Sequence, residues 1–300
     1  MNIWVVVLNY NGKDVLEDCL SSLVKVKTKG FKVTSLVYDN GSSDGSVEYI
    51  REKFKEVKVL ESKDNLGFSE GNNEGIRYAL ENGAEAVMLL NSDTKVDEGV
   101  VETLWMGLGD KKIGIMVPKI YFYPECEFHK DRYEKSDGGK VIWYAGGVID
   151  WDNVYLSHRG VDEVDRGQFD KKKETDFATG CCMMVRKDVF EGVGYLDKKY
   201  FLYYEDADFS MRVKKGGFKI VYEPKGVVWH KNAGSIGGSG SDTQDYYLTR
   251  NRYLFGFRYG GLKVKLMMVR EAVGSIFRGR KAKKEGSVDF LTGRFGKKGK

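Results

Sequence analysis

Over the first hundred residues, short apolar runs bounded by polar turns alternate with stretches of helical spacing. The apolar runs 3–8, 33–38, 57–60 and 86–90 predict strands; the amphipathic stretches 14–24, 46–54 and 69–81 predict helices between them. This strand–helix alternation predicts an α/β fold with a mostly parallel sheet covered by helices on both faces. In such sheets ligands gather beyond the carboxyl ends of the strands, and three of these ends run into polar clusters at 9–12, 39–43 and 91–93. A further helix is expected after Val96. From about Ile113 the alternation breaks, and residues 124–175, rich in charge and aromatics, read as a β-ribbon or a covering loop. Regular patterning returns over 177–186, with a helix opening near Lys187, a run over 200–216, and strands at 219–222 and 227–230. The Gly/Ser-rich segment 234–240 has the composition of a mobile loop. Leu262, Leu266, Val269, Val273 and Ile276 then mark one face of an amphipathic helix.

Composition narrows the class. With 300 residues, 41% hydrophobic and 31% charged, the chain has the profile of a globular protein with a large core, and 3 prolines leave no Pro-rich linker. The four cysteines, Cys19, Cys126, Cys181 and Cys182, lack CxxC spacing, which argues against a zinc site or a disulfide framework and for a reducing, cytoplasmic setting. The first twelve residues lack the basic leader of a signal peptide, and nowhere do 18 apolar residues run together. The net charge of +5 is unevenly spread: residues 262–300 hold 12 Lys/Arg against 3 Asp/Glu, a net of +9, so the remainder carries −4. A mildly acidic body is not that of a nucleic-acid-binding domain. The basic tail has two readings that its sequence leaves open, a helix docked on its own domain or one lying on an anionic membrane surface.

The chain has three histidines (His129, His158, His230), no GxSxG, no GxGxxG after the first strand and no GxxxxGK[ST]. Acyl-transfer hydrolases, dinucleotide oxidoreductases and P-loop nucleotide hydrolases therefore lose their main signals. What remains are carboxylates and amides near strand ends. Asp39 suits a base N–H or ribose hydroxyls, or equally an Asx-turn. Asp93 suits a hard dication bridging phosphates, or a helix N-cap. Glu205, Asp206 and Asp208 stand among aromatics, where burial disfavours their charge; they read as a general base compensated by a cation, or as a charged first helical turn with Arg212 one turn on. A lone His230 reads as a satisfied residue, and gains a ligand's role only in company with Asp93.

Taken in order, the segments VVVLNYNG (5–12), YDNGSSDGS (38–46), NLGFSEGNNEGI (65–76), MLLNSDT (88–94), TGCCMMVRKDVFEGVGYLD (179–197), FLYYEDADFSMRVKKGG (201–217), VVWHKNAGS (227–235) and YYLTRNRYLF (246–255) resemble the family 2 glycosyltransferases of GT-A fold, in particular the rhamnosyl- and galactofuranosyltransferase-like branch. The resemblance implies a Rossmann-like central sheet with a C-terminal helical extension. It divides the chain into a nucleotide-sugar-binding half (1–110), an acceptor-binding and catalytic half (111–233), and a Gly/Ser loop with a basic helical tail (234–300). It places Asn9, Tyr10 and Asp39 along the nucleoside and Asn65 and Asn72 in the donor pocket. Asn91-Ser92-Asp93 stands in place of the family's DxD motif, so that one acidic ligand is replaced by an amide; Asp93 becomes the metal ligand and His230 a further one. Asp206 becomes the general base, Glu205 and Trp229 acceptor-side residues, and Arg250 and Arg252 a basic motif near the diphosphate.

The implied activity is an inverting, single in-line displacement of a nucleoside diphosphate by an acceptor hydroxyl, with Mn²⁺ or Mg²⁺ stabilising the leaving group. A UDP- or dTDP-sugar is the favoured donor. The acceptor would be a saccharide or lipid-linked saccharide, and the site cytoplasmic or peripheral on the inner membrane face. The Gly/Ser segment would close over the donor. Two rival classes are a non-catalytic nucleotide-sugar-binding protein and a sugar-1-phosphate nucleotidyltransferase; the latter is disfavoured because no glycine-rich basic loop follows the first strand.

Overall fold

The computed structural model describes residues 1–232 and 240–299; the Gly/Ser segment that the sequence marks as a mobile loop lies, but for Gly240, outside the described residues. The predicted alternation is present. Strands β1 (Asn2–Asn9), β2 (Lys32–Asp39), β3 (Lys58–Glu61) and β4 (Ala86–Asn91) alternate with helices α1 (Lys13–Val24), α2 (Ser46–Lys53) and α3 (Gly67–Glu81). These four strands run parallel in the order β3-β2-β1-β4. Their apolar side chains are buried because helices cover both faces, which is why the runs read as continuous rather than alternating.

The short strand β5 (Thr94–Val96) and helix α4 (Val100–Gly107) lead into β6 (Ile113–Phe122). Residues 124–175 then hold short strands: β7 (Ile142–Tyr144), the antiparallel ribbon β8 (Gly147–Asp150) with β9 (Tyr155–His158), and β10 (Lys173–Glu174). Strand β11 (Cys182–Arg186) inserts antiparallel between β4 and β6, and after α5 (Lys187–Val193) and α6 (Glu205–Lys215) the long strand β12 (Lys219–His230) lies parallel to β6. The sequence pattern divides β12 in two. Its register with β6 skips between Glu223 and Val227, where Pro224 has no N–H for the ladder. One mixed sheet thus spans the strands of both halves of the chain.

Three C-terminal helices follow: α7 (Asp242–Tyr259), α8 (Leu262–Arg278) and α9 (Lys281–Thr292). They pack through a second apolar cluster in which Tyr253, Phe255, Met268, Ala272 and Phe290 meet Ile149 and Val154 of the ribbon and Tyr200 and Tyr204. Helix α7 escapes periodicity analysis because its residues 246–256, Arg250, Asn251 and Arg252 included, are buried almost without interruption.

Helix α3 sits close on the sheet because Gly71 and Gly75, four residues apart, face β1, while Gly67 one turn earlier makes room for the Phe201 ring. A Cβ on Gly75 would lie 2.4 Å from Val6 Cγ1, and one on Gly71 2.7 Å from Leu8 Cδ1. Gly75→Val should therefore destabilise the fold by about 2–3 kcal/mol through overpacking. Gly274→Ala on α8, where a Cβ meets nothing within 4 Å, should stabilise it by about 0.5–1 kcal/mol. Urea unfolding of the two variants measures both shifts; equal effects would contradict the close approach of α3.

Candidate active site

The carboxyl ends of β1, β2 and β4 open on one pocket of about 330 Å³. Its walls include Leu8 and Tyr10 after β1, Asn40 after β2, and Asn65, Gly67 and Phe68 at the start of α3. Asn91, Ser92 and Asp93 stand at the end of β4, and Glu205, Asp206 and His230 lie on the other side. Seven of the residues singled out from the sequence thus line a single cavity: Tyr10, Asn65, Asn91, Asp93, Glu205, Asp206 and His230.

Behind this surface Asn9 and Asp39 form a buried support. Asn9 Nδ2 donates to Asp39 Oδ2 at 2.8 Å, and the Ser42 amide donates to Asp39 Oδ1 at 2.9 Å, so the turn expected of Asp39 is made. Asn40 does the work at the pocket edge. Its Nδ2 donates to Asn65 Oδ1 (3.2 Å) and to the Gly67 carbonyl (3.1 Å), and its Oδ1 accepts from the Leu66 amide (2.9 Å). That residue lay within the polar cluster after the second strand, but its neighbour's carboxylate drew the attention. Asn72 is buried within α3, where its Nδ2 donates to the Phe68 carbonyl at 2.9 Å; it does not line the pocket.

Asp93 and His230 meet because β5 pairs antiparallel with β12 and sets Thr94 opposite His230. His230 Nε2 lies 3.1 Å from Asp93 Oδ1, both side chains are buried, and the Lys231 amide donates to the Asp93 carbonyl at 2.9 Å. Asp93 is not a helix cap: α4 opens later, after Gly99. Strand parity separates Trp229 from this pair, since successive residues face opposite sides of the sheet. Trp229 turns its indole N–H to the Gly139 carbonyl at 3.0 Å, away from the pocket. The aromatic wall is instead Trp143, whose ring centroid is 4.5 Å from that of His230 and 4.4 Å from that of His158. Burial pushes His158 down to about 4, so its imidazole is neutral; Nδ1–H donates to the Trp143 carbonyl at 3.1 Å and Nε2 is left as an acceptor. No sequence pattern marked Trp143 or His158, because they stand in the segment without periodicity.

Among the described residues no three His, Cys, Asp or Glu side chains form a metal cage. One carboxylate and one imidazole, Asp93 and His230, nonetheless suit a divalent cation that takes its other oxygens from a substrate's phosphates; among the described residues the buried His230 Nδ1 has no hydrogen-bond partner.

The Glu205–Asp206 pair begins α6 after a loop in which Phe201, Tyr203 and Tyr204 have φ of 62°, 67° and 70°. Non-glycine residues in this region cost about 1–3 kcal/mol each, so something must hold the loop. Helix α7 does. Asn251 Nδ2 donates to the carbonyls of Tyr200, Leu202 and Tyr203 at 2.7–2.9 Å, and Arg250 Nη2 donates to those of Lys199 and Tyr200 at 3.1 and 3.0 Å. Arg250 also donates to the Gly296 carbonyl, and Arg252 to the Asn153 carbonyl and Glu271. Neither arginine lines the pocket, and the diphosphate contact expected of them is replaced by these internal bonds. Asp208 is likewise internal, accepting from Arg212, Arg258, Tyr200 and Tyr259.

Burial raises the carboxyls of both Glu205 and Asp206, Glu205 well above its ordinary range, with the neighbouring Asp206 charge adding to that rise. The two differ in their partners. Asp206 accepts backbone N–H bonds from Gly180 (3.0 Å) and Ala207 (2.7 Å), which favour its charge, whereas Glu205 Oε2 is buried with no partner. The backbone donors therefore favour charge on Asp206 over charge on Glu205. A carboxyl raised on folding stabilises the protein below its unfolded value, near 4.5, and loses that contribution as the pH climbs through the folded one.

Glu205→Gln, which has no charge to bury, should melt higher than the parent at pH 8 and nearly level with it at pH 5; a gap that does not change with pH would contradict a neutral Glu205. Removing the clasp has the opposite sign. Arg250→Ala leaves buried carbonyls unpaired and should cost about 3 kcal/mol or more, and Asn251→Ala about 1–3 kcal/mol, in denaturant unfolding.

The sequence profile described as glycosyl transferase family 2 matches residues 4–194. Similar proteins include the low-salt glycan biosynthesis hexosyltransferase Agl10 of Haloferax volcanii, 24% identical over 217 residues that make up 72% of this chain and 62% of that protein. The N-acetylglucosaminyl-diphospho-decaprenol L-rhamnosyltransferase of Mycobacterium tuberculosis is 27% identical over 78% of this chain and 77% of its own length. The dTDP-rhamnosyl transferase RfbF of Shigella flexneri is 24% identical over 92% of this chain and 86% of its own. Among solved structures, that of GalNAc-T7 with UDP, GalNAc and Mn²⁺ superposes with a TM-score of 0.60 at 15% identity, over 97% of this chain and 57% of that one, a likeness of fold. By profile, relatives and GT-A architecture together, this chain belongs to glycosyl transferase family 2, with rhamnosyltransferases among its relatives.

Proposed function

We propose that the chain is an inverting, metal-dependent glycosyltransferase that moves a sugar from a nucleoside-diphosphate donor to a hydroxyl of a saccharide or lipid-linked saccharide, in the synthesis of a cell-surface polysaccharide or glycoconjugate. The observation that carries this reading is that one pocket joins the charged Asp206 to the Asp93–His230 pair. The donor nucleoside lies along Tyr10, Asn40 and Asn65, backed by Asn9 and Asp39, with its diphosphate toward Asn91 and Asp93. Asp93 and His230 would hold a divalent cation, Mn²⁺ or Mg²⁺, which would supply charge neutralisation for the departing diphosphate. UDP and dTDP are the favoured nucleotides; the GalNAc-T7 structure holds UDP, and RfbF is a dTDP-rhamnosyl transferase.

Asp206 accepts the proton of the acceptor hydroxyl as its oxygen bonds to the anomeric carbon, and the nucleoside diphosphate leaves from the opposite side with the bonding pair. The configuration inverts. Burial lifts Asp206 toward a useful basicity while its two backbone donors keep it ionised. Trp143 and the neutral His158 form the acceptor wall, a stacking surface and a hydrogen-bond acceptor suited to a sugar. The acceptor named for the mycobacterial relative is a diphospho-decaprenol-linked sugar, which supports a lipid-linked acceptor here. Four unpaired cysteines suit a reducing compartment, and with the basic tail they favour a place in the cytoplasm, peripheral on the inner face of the membrane.

Asp206→Asn should lower turnover by about 10²–10⁴-fold while leaving donor binding, read by thermal shift with UDP- and dTDP-sugars and Mn²⁺, unchanged. The parent rate should rise with pH through the raised Asp206 value and then level. An unaltered rate in Asp206→Asn would remove it as the base, and donor binding without turnover in the parent would favour a nucleotide-sugar-binding role.

A further inference from the structure

Helix α8 carries two apolar sides, and only one of them is used. Met268 and Ala272 are buried against α7 and the ribbon cluster, with Val264 and Met267 partly buried beside them. Leu262, Leu266, Val273 and Phe277 face away. They are 74%, 63%, 44% and 76% exposed. Their spacing of four, seven and four residues puts them in one stripe along the helix, since each such step returns close to the same angle. Lys263 and Arg270, seven residues apart, border that stripe on one side, and Arg278 at the end of the helix lies about a quarter turn further round; all three are exposed. On the other border Lys265 lies over the ring of Phe257, itself 46% exposed. Of the five residues that mark the amphipathic pattern in sequence, Leu262, Leu266 and Val273 are therefore on the open side, and Val269 and Ile276 at its buried edge.

We infer that the outward face of α8 is a membrane-surface anchor, which lies in the headgroup region of an anionic bilayer with Leu262, Leu266, Val273 and Phe277 inserted and Lys263 and Arg270 on lipid phosphates. Charge complementarity selects this occupant. A stripe of bulky apolar side chains bordered by cations matches the boundary between acyl chains and anionic headgroups. Residues 262–300 carry the net charge of +9 while the remaining body carries −4, so an anionic surface attracts this end of the molecule and repels the rest. A helix lying in the interface does not need the length of a spanning one, and no helix among the described residues is long and apolar enough to cross. The anchor rests on the preceding reading for its purpose, delivery of the site to a lipid-linked acceptor, but its existence is measured without donor or acceptor.

The test is co-sedimentation of the full chain with vesicles of phosphatidylcholine alone or with a third phosphatidylglycerol, at low and high salt. The anchor predicts binding to the anionic vesicles at least about tenfold tighter than to the neutral ones, weakened by salt. Leu266→Glu with Phe277→Glu should reduce that binding about tenfold or more with an unchanged melting temperature, because both side chains are already in water. Lys263→Ser with Arg270→Ser should weaken binding to anionic vesicles alone. Equal or absent sedimentation with both vesicle types would overturn the anchor, as would undiminished binding of the glutamate variant. A concentration-dependent dimer in light scattering that the same glutamate pair dissolves would assign the face to a second copy of the chain and overturn it as well. Loss of transfer to a water-soluble acceptor in Asp206→Asn leaves vesicle binding unaffected, so the two readings fail separately.

Discussion

Two adjacent carboxyl groups, Glu205 and Asp206, stand at the first turn of one helix where burial raises both, and the elements around them are arranged to hold that turn. The turn that aims them runs through three non-glycine residues with positive φ. Such a backbone persists only where its surroundings over-determine it. Here the surroundings are the side chains of Arg250 and Asn251, which take up the carbonyls of residues 199–203 from the neighbouring helix. The clasp explains why a C-terminal helical extension is packed so deeply on the GT-A fold: α7 supplies the side chains that hold the turn before Glu205 and Asp206. It also explains why the second apolar cluster includes Tyr200 and Tyr204 of that turn together with Tyr253 and Phe255 of α7.

The opposite wall is set by sheet geometry. Parallel strands bring Asn9, Asp39 and Asn91 to one edge in register, since Leu8 pairs with Asn91 on one side and Asn9 with Asp39 on the other. From there two short local devices do the aiming. A ladder of amides, Asn9 on Asp39 and Asn40 on Asn65 and Gly67, fixes the pocket wall beyond β1 and β2. The β5–β12 pairing fixes Asp93 beside His230. The chemistry thus lies between a rigid sheet edge and a clasped turn.

This division sets what was legible in the sequence. Strands that are buried on both faces announce themselves as apolar runs, and the polar clusters after them marked Tyr10, Asn91 and Asp93 within reach of one another, while Asn65 came only with the family resemblance. His230 was legible only by its association with Asp93. Trp229 was misplaced because an aromatic next to a site residue in a strand faces the other way, a consequence of the two-residue period. Arg250 and Arg252 were misplaced for a different reason. An arginine near a nucleotide-sugar site invites a phosphate contact, whereas a buried guanidinium with its donors bonded to carbonyls is indistinguishable from it in a linear sequence. Trp143, His158 and Asn40 were missed because ribbon and turn residues have no periodicity to separate pocket from surface.

The tail shows the same logic carried one step outward. Its amphipathic pattern fitted either docking on the domain or lying on a membrane, and the folded helix does the first on one side while leaving a second apolar stripe that the described residues do not cover. Large apolar side chains held in water by a well-packed helix lose the hydrophobic free energy they would gain on burial, and four in one row are not the scattered exposure of an ordinary surface. The cations beside them are equally hard to account for within the molecule. Only Arg278 ends the helix, where a positive charge complements the backbone dipole, whereas Lys263 opens it, where the dipole disfavours one. A basic residue placed against the dipole and next to exposed leucine is explained by an external negative surface rather than by the stability of the helix itself.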